Sequence, residues 1–320
     1  MIHLALLAFL LLPMLPSEVA FRETTYQAAV FVGGQSVPRY DKGYLLYRHM
    51  QARNRLEVHK PDGAPLFDIQ VPCPGPGECG VGVAAVDSRG TVAVTLHYRT
   101  PRGWAGSIRF LNAKGVEMRV IETEWYVPRA LAFDEQDNLW TIGWLRDPLN
   151  PDFPEKEDHP IVRKYSPDGK ELGRFLPRSL WPGKNSSPGS LGVGYWHMAA
   201  ASDRIGAIIH ENHADNDPEW VEWDLGGNLL SRTRLPDNLH HGRAFTSDGK
   251  LYARLKAKDN SAPQLHLLDR ATATWNAVPT NLPAHLEREG IFLLGAHGND
   301  LVYRAGPGNV RILRVAPGTR

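Results

Sequence analysis

Short apolar runs recur along this chain in pairs, each pair joined by a turn. Six times a mostly apolar run meets a turn rich in Gly, Asp or Asn and is followed by a second apolar run. The copies are VPRYDKGYLLYR about Gly43, VAAVDSRGTVAVTLHY about Gly90, ALAFDEQDNLWTIGW about Asp137, MAAASDRIGAIIHE about Asp203, RAFTSDGKLYARLK about Gly249 and LLGAHGNDLVYR about Asn299. These are the residue types that tolerate the left-handed backbone of tight hairpins. The turn residues recur at close to the roughly 40 to 50 residues of a propeller blade, with one longer interval between Asp137 and Asp203.

Between successive copies lies a second, more polar hairpin that alternates apolar and polar positions, such as SIRFLNAKGVEMRVIE and WVEWDLGGNLLSRTRL. An apolar inner hairpin followed by a half-exposed outer one makes a four-stranded antiparallel blade. The fold class expected is therefore all-β, a six-bladed β-propeller. The last copy has only VRILRVAP after its inner hairpin, while Tyr26 to Val32 (YQAAVFV) forms an unassigned strand before the first. N- and C-terminal strands paired in one blade would close the ring and leave no open edge.

The segments AVDSRGTVAV, AFDEQDNLWTI and KYSPDGKELGRF resemble six-bladed propellers of the NHL-repeat type and their TolB-like relatives, and the resemblance covers nearly all of residues 24–320. It implies a fold rather than an activity, because the group includes scaffolds, binding modules and lactone hydrolases. The similar gluconolactonase and regucalcin branch holds a divalent cation through an acidic residue early in its first blade plus an Asn and an Asp later. Here the first inner strand begins Val37-Pro38-Arg39-Tyr40, without a carboxylate.

The 320 residues suit one propeller, and 36 Lys and Arg against 35 Asp and Glu, without blocks of like charge, argue against a nucleic-acid partner. Leu4 to Leu12 is apolar but too short to span a bilayer. Residues 1–20 accordingly read as a signal peptide and 21–320 as the propeller, exported to the periplasm or the cell exterior as a monomer. No later run is long enough for a transmembrane helix. Cys73 and Cys79 flank Pro-Gly-Pro-Gly-Glu, and export favours a disulfide between them.

The long connections, Leu145 to Pro160 and Arg178 to Gly194, and the Cys73–Cys79 loop all fall on the face opposite the short turns. That loop-rich mouth is the expected binding face. Arg48, His97, Arg146, His210, Arg254 and Arg304 stand an odd number of residues after their turn residues, so alternation sends them to one side near that mouth. Arg129, His197 and Arg243, with Arg39 and His241, add to the set from the inner strands. A basic ring in a neutral chain would attract a small anion; the alternative is strand-end arginines paired with loop carboxylates.

A second cluster, His210-Glu211-Asn212-His213-Ala214-Asp215 with His197 and the His240-His241 pair, could hold a divalent metal or supply acid and base, or simply face solvent. No serine elbow, P-loop or H-E-x-x-H motif occurs. Three readings follow: an exported module binding a small, anionic ligand; a metal-assisted hydrolase or lyase acting on an anionic carbohydrate or lactone; and a peptide or protein binder using Trp104, Trp125, Trp144, Trp181 and Trp196. Nothing in the residues fixes a cofactor.

Overall fold

The hairpin turns work because short polar side chains replace missing backbone partners. At Asp134 the carboxylate accepts from the N–H groups of Gln136 and Asn138 at 3.0 and 2.8 Å, and Asp137 takes a left-handed φ of 59°. Asp87, Asn112 and Asp224 begin the same five-residue turn, each closed by a left-handed Gly. The first inner hairpin is tighter: Lys42 and Gly43 both have positive φ, as a two-residue hairpin that follows strand twist requires.

The computed structural model describes residues 19–22, 37–48, 52–60, 63–75, 78–101, 103–145, 158–181, 192–210, 218–236, 239–255, 263–279, 292–305 and 311–317. Strand β1 is Val19–Arg22. The first blade holds β2 (Val37–Asp41), β3 (Tyr44–Arg48), β4 (Arg55–His59) and β5 (Pro65–Gln70). The second holds β6 (Cys79–Val86), β7 (Val92–Thr100), β8 (Gly103–Leu111) and β9 (Glu117–Glu124). The third holds β10 (Tyr126–Phe133), β11 (Leu139–Leu145), β12 (Pro160–Tyr165) and β13 (Glu171–Pro177).

The fourth blade follows as β14 (Gly192–Ala200), β15 (Arg204–His210), β16 (Pro218–Asp224) and β17 (Leu229–Arg234). The fifth comprises β18 (Leu239–Phe245), β19 (Leu251–Leu255), β20 (Gln264–Asp269) and β21 (Thr274–Ala277). Then come β22 (Phe292–His297), β23 (Asp300–Ala305) and β24 (Arg311–Pro317), which β1 completes from the other end of the chain. These antiparallel units form a β-propeller. Its strands fall into six groups of four but five hydrogen-bonded sheets, because a parallel bridge between Gly242 and Leu293 joins the last two groups at their inner strands.

The closing strand differs from the one the sequence pattern suggests. Val19–Arg22 pairs with Arg314–Pro317, so the strand straddles Ala20, while Tyr26–Val32 lies outside the described residues. Both candidates are short apolar runs, and pairing with β24 is a long-range choice that local pattern does not resolve. Cys73 and Cys79 are bonded to each other, with their Cα atoms 5.8 Å apart. Among the described residues no helix is long and apolar enough to cross a membrane.

Blades pack through apolar side chains that close the wedge between neighbours. Trp140, Trp181 and Trp223 are wholly buried between the third and fourth blades, the rings of Trp140 and Trp223 lying 6.4 Å apart. The outer turns add a directional contact. Phe67 and Ile69 touch Gly115 of the next blade, Arg119 touches Gly169, and Phe175 lies beneath Gly227. At Gly227, φ is +88° and a Cβ would sit 2.0 Å from the Phe175 ring. Gly227→Ala should therefore cost at least about 2 kcal/mol in denaturant unfolding, from backbone strain and overpacking together. The neighbouring Gly226→Ala, whose Cβ meets nothing nearer than 3.2 Å, should cost much less.

Candidate functional site

Inner strands of a propeller leave one edge unpaired toward the axis, so their N–H and C=O groups face the channel. Arg39 of β2 uses this. Its Nη2 crosses the axis and donates to the carbonyl of Leu131 on β10 at 2.7 Å and to that of Met198 on β14 at 2.9 Å. The residue is 6% exposed, its Nη1 is buried without a partner, and Asp41 Oδ2 stands 3.9 Å from Nη2. Burial pushes its pKa down, with Asp41 opposing the shift.

Five inner strands around this arginine enclose a central cavity of about 360 Å³. Its rim is Asp41, Lys42, Asp134, Glu135, Ser247 and Gly298, all at the ends of inner strands or in the turns that follow. The cavity thus lies at the short-turn face. Most of both long connections, residues 146–157 and 182–191, lies outside the described residues.

Arg243 of β18 lines the same cavity. The residue is half-buried, and its Nε is buried with no hydrogen-bond partner among the described residues. Burial, with no carboxylate to oppose it, pushes the guanidinium pKa down to about 9. It still carries its charge at neutral pH. Other charges at the cavity are already engaged: Lys42 Nζ donates to the Asp134 carbonyl at 3.2 Å and stands 3.7 Å from Asp137, Asp41 accepts from Val86 N–H at 2.9 Å, and Asp134 accepts from Trp140 Nε1 at 2.9 Å. Glu135 is exposed.

Among the described side chains of the expected basic set, Arg254, His97, Arg129 and Arg304 do not line this cavity. Arg254 is 2% exposed and donates through Nη2 to the Pro263 carbonyl at 2.7 Å, so it serves its own blade. His97 is half-buried over its own blade, where a Cβ on Gly82 would lie 2.6 Å from its Nε2. Arg129 is half-buried in a bulge of β10, and Arg304 is half-buried on β23 opposite Phe292. Arg48, His197 and His210 stand on β3, β14 and β15 with side chains outside the described residues, as are all of Arg146 and the 211–217 segment.

Among the described residues no three His, Cys, Asp or Glu side chains converge as a metal site would need. Trp181, offered above as a mouth aromatic, is instead wholly buried in the wedge between blades, with Nε1 on Glu219 at 3.3 Å. Arg39 and Arg243 line one cavity, and nothing local in the sequence signals that they meet there.

His159 is a buried histidine that the pattern did not single out. It is 1% exposed, its Nε2 accepts from Leu145 N–H at 3.4 Å, and its Nδ1 has no partner. Burial above all, and then Arg178 and Arg163, lower its pKa to about 4. The unfolded chain therefore binds a proton near pH 6.5 that the folded chain refuses until about pH 4. Stability from this group is present above pH 6.5 and is lost as pH falls through that window, by about 2 kcal/mol at pH 4.5. Urea unfolding from pH 7 to 4.5 should show this slope flattened in His159→Gln.

The chain matches no protein-family model and no curated protein. Among solved structures, a gluconolactonase from Xanthomonas campestris aligns at TM-score 0.49 and 14% identity, over 95% of this chain and 97% of that one. A prolyl endopeptidase aligns at TM-score 0.46 and 15% identity, over 91% of this chain and 39% of the other. The Dos1 propeller aligns at 0.44 and 8%, over 89% and 80%. Identities this low attach no activity to this chain.

Proposed function

We propose that this propeller is an exported binding module whose central channel holds a small anion. The observation that carries the reading is Arg243, a desolvated guanidinium facing the cavity with no carboxylate against it. An unpaired buried charge destabilises a fold, and a bound anion would relieve that cost. Arg39 supports the reading as a second guanidinium lining the same cavity, its Nη1 without a hydrogen-bond partner among the described residues and its Nη2 fixed by two carbonyls. A donor pinned in place binds without losing further side-chain entropy. Export rests on the apolar run Leu4 to Leu12, which lies outside the described residues.

Thermal unfolding with and without sodium butyrate, gluconate or sulfate tests the binding. At a hundredfold excess over Kd, a binding anion should add about 2.7 kcal/mol of stability. If none of the three raises the midpoint beyond a chloride control of equal ionic strength, the reading fails. The rival lactonase reading predicts turnover of a lactone on adding a divalent cation, which the same protein preparation can be assayed for.

A further inference from the structure

Inside its charged rim, the cavity that holds Arg243 and Arg39 has largely apolar walls. Met198, Ala199 and Ala201 form one wall, and Phe245, Leu293 and Leu294 face it from the next blades. The polar atoms on the remaining wall are turned elsewhere. Trp220 lends carbon, because its Nε1 donates to Glu222 at 2.8 Å, and the Ser247 hydroxyl donates to Asn299 Oδ1 at 2.8 Å. Arg39 Nη1 and Arg243 Nε are buried and have no hydrogen-bond partner among the described residues. Of the other charges lining the cavity, Asp134 is paired with Lys164 at 3.8 Å, Lys42 stands 3.7 Å from Asp137 and Glu135 is exposed at the rim. Arg39 and Arg243 therefore share Asp41 as their inner carboxylate, and one positive charge is left to neutralise.

We infer that the ligand is a small monocarboxylate with an apolar body, its carboxylate on Arg39 and Arg243 and its body against the Met198–Ala201 and Phe245–Leu294 walls. The inference rests on the anion reading above and narrows it. A sugar acid fits less well, because hydroxyls set against the Met198–Ala201 and Phe245–Leu294 walls would meet methyl or ring carbon and lose their hydrogen bonds. A dianion fits poorly as well, since its second charge would stay unpaired in a desolvated site. The volume lies near the lower end of small-molecule sites, about 300 to 1,000 Å³, so a body of few carbons is accommodated.

Isothermal titration of the full chain separates this inference from the reading beneath it. The probes are butyrate, phenylacetate, gluconate and the uncharged 2-phenylethanol. The tighter of butyrate and phenylacetate should bind at least about tenfold more tightly than gluconate, with a negative heat-capacity change from burial of the apolar body. It should also outbind 2-phenylethanol by at least about tenfold, the lower range for a charge-assisted contact. Gluconate binding as tightly as either apolar acid would overturn the inference and leave the anion reading standing. If 2-phenylethanol matches phenylacetate, the charge is irrelevant and both fall. Both fall also if no probe binds.

Discussion

Arg39→Ala should lower the unfolding free energy by about 4 kcal/mol, the largest loss expected from any single channel substitution. Two charge-assisted hydrogen bonds disappear at once, each worth about 1.5 to 3 kcal/mol. The carbonyls of Leu131 and Met198 then lose the donor that reaches them from across the axis. Some of the loss is recovered, because a desolvated guanidinium is also removed. In urea the midpoint should fall with little change in slope, since the surface exposed on unfolding is the same. Arg39→Lys keeps the charge without the planar fork, and its cost should fall between wild type and Ala. A loss below about 1 kcal/mol for Arg39→Ala would show that the cross-channel bonds are replaced by water.

Arg243→Met should move two measurements in opposite directions. The thioether is similar in length and leaves the packing of β18 nearly intact, while a desolvated charge without a carboxylate partner is gone. The unliganded protein should gain at least about 2 kcal/mol of stability, because uncompensated buried charge costs several kcal/mol. Binding of a butyrate or phenylacetate probe should weaken by at least about thirtyfold, the equivalent of one charge-assisted hydrogen bond. Denaturant unfolding and calorimetric titration of the same preparation read both effects. If stability and affinity fall together, Arg243 is a structural residue and the anion has no place on it. A stability gain without a change in affinity would put the anion elsewhere.

Much of the fold is legible in the sequence because its determinants are local. A turn such as Asp134 to Asn138 is specified within five residues by an acceptor side chain and a left-handed position, and Gly43, Gly90, Asp137 and Gly249 are all left-handed in the structure. Even there the reading slips by one: in the last inner hairpin Gly298, not Asn299, takes the positive φ. The site was less legible. Alternation along β19 does not signal that a carbonyl nine residues on takes the Arg254 guanidinium. Arg39 reaches partners 92 and 159 residues away. A flexible side chain with several torsions has no sequence signature for such a reach, and the register of distant blades decides it.

The same cross-axis bonds bear on how anything could move through the ring. With its guanidinium held against the third and fourth blades, the first blade puts a gate post in the middle of the channel rather than along its wall. A solute entering at the short-turn face would meet this guanidinium near the axis, so the free width of the ring there is set by one side chain and by the two carbonyls that hold it.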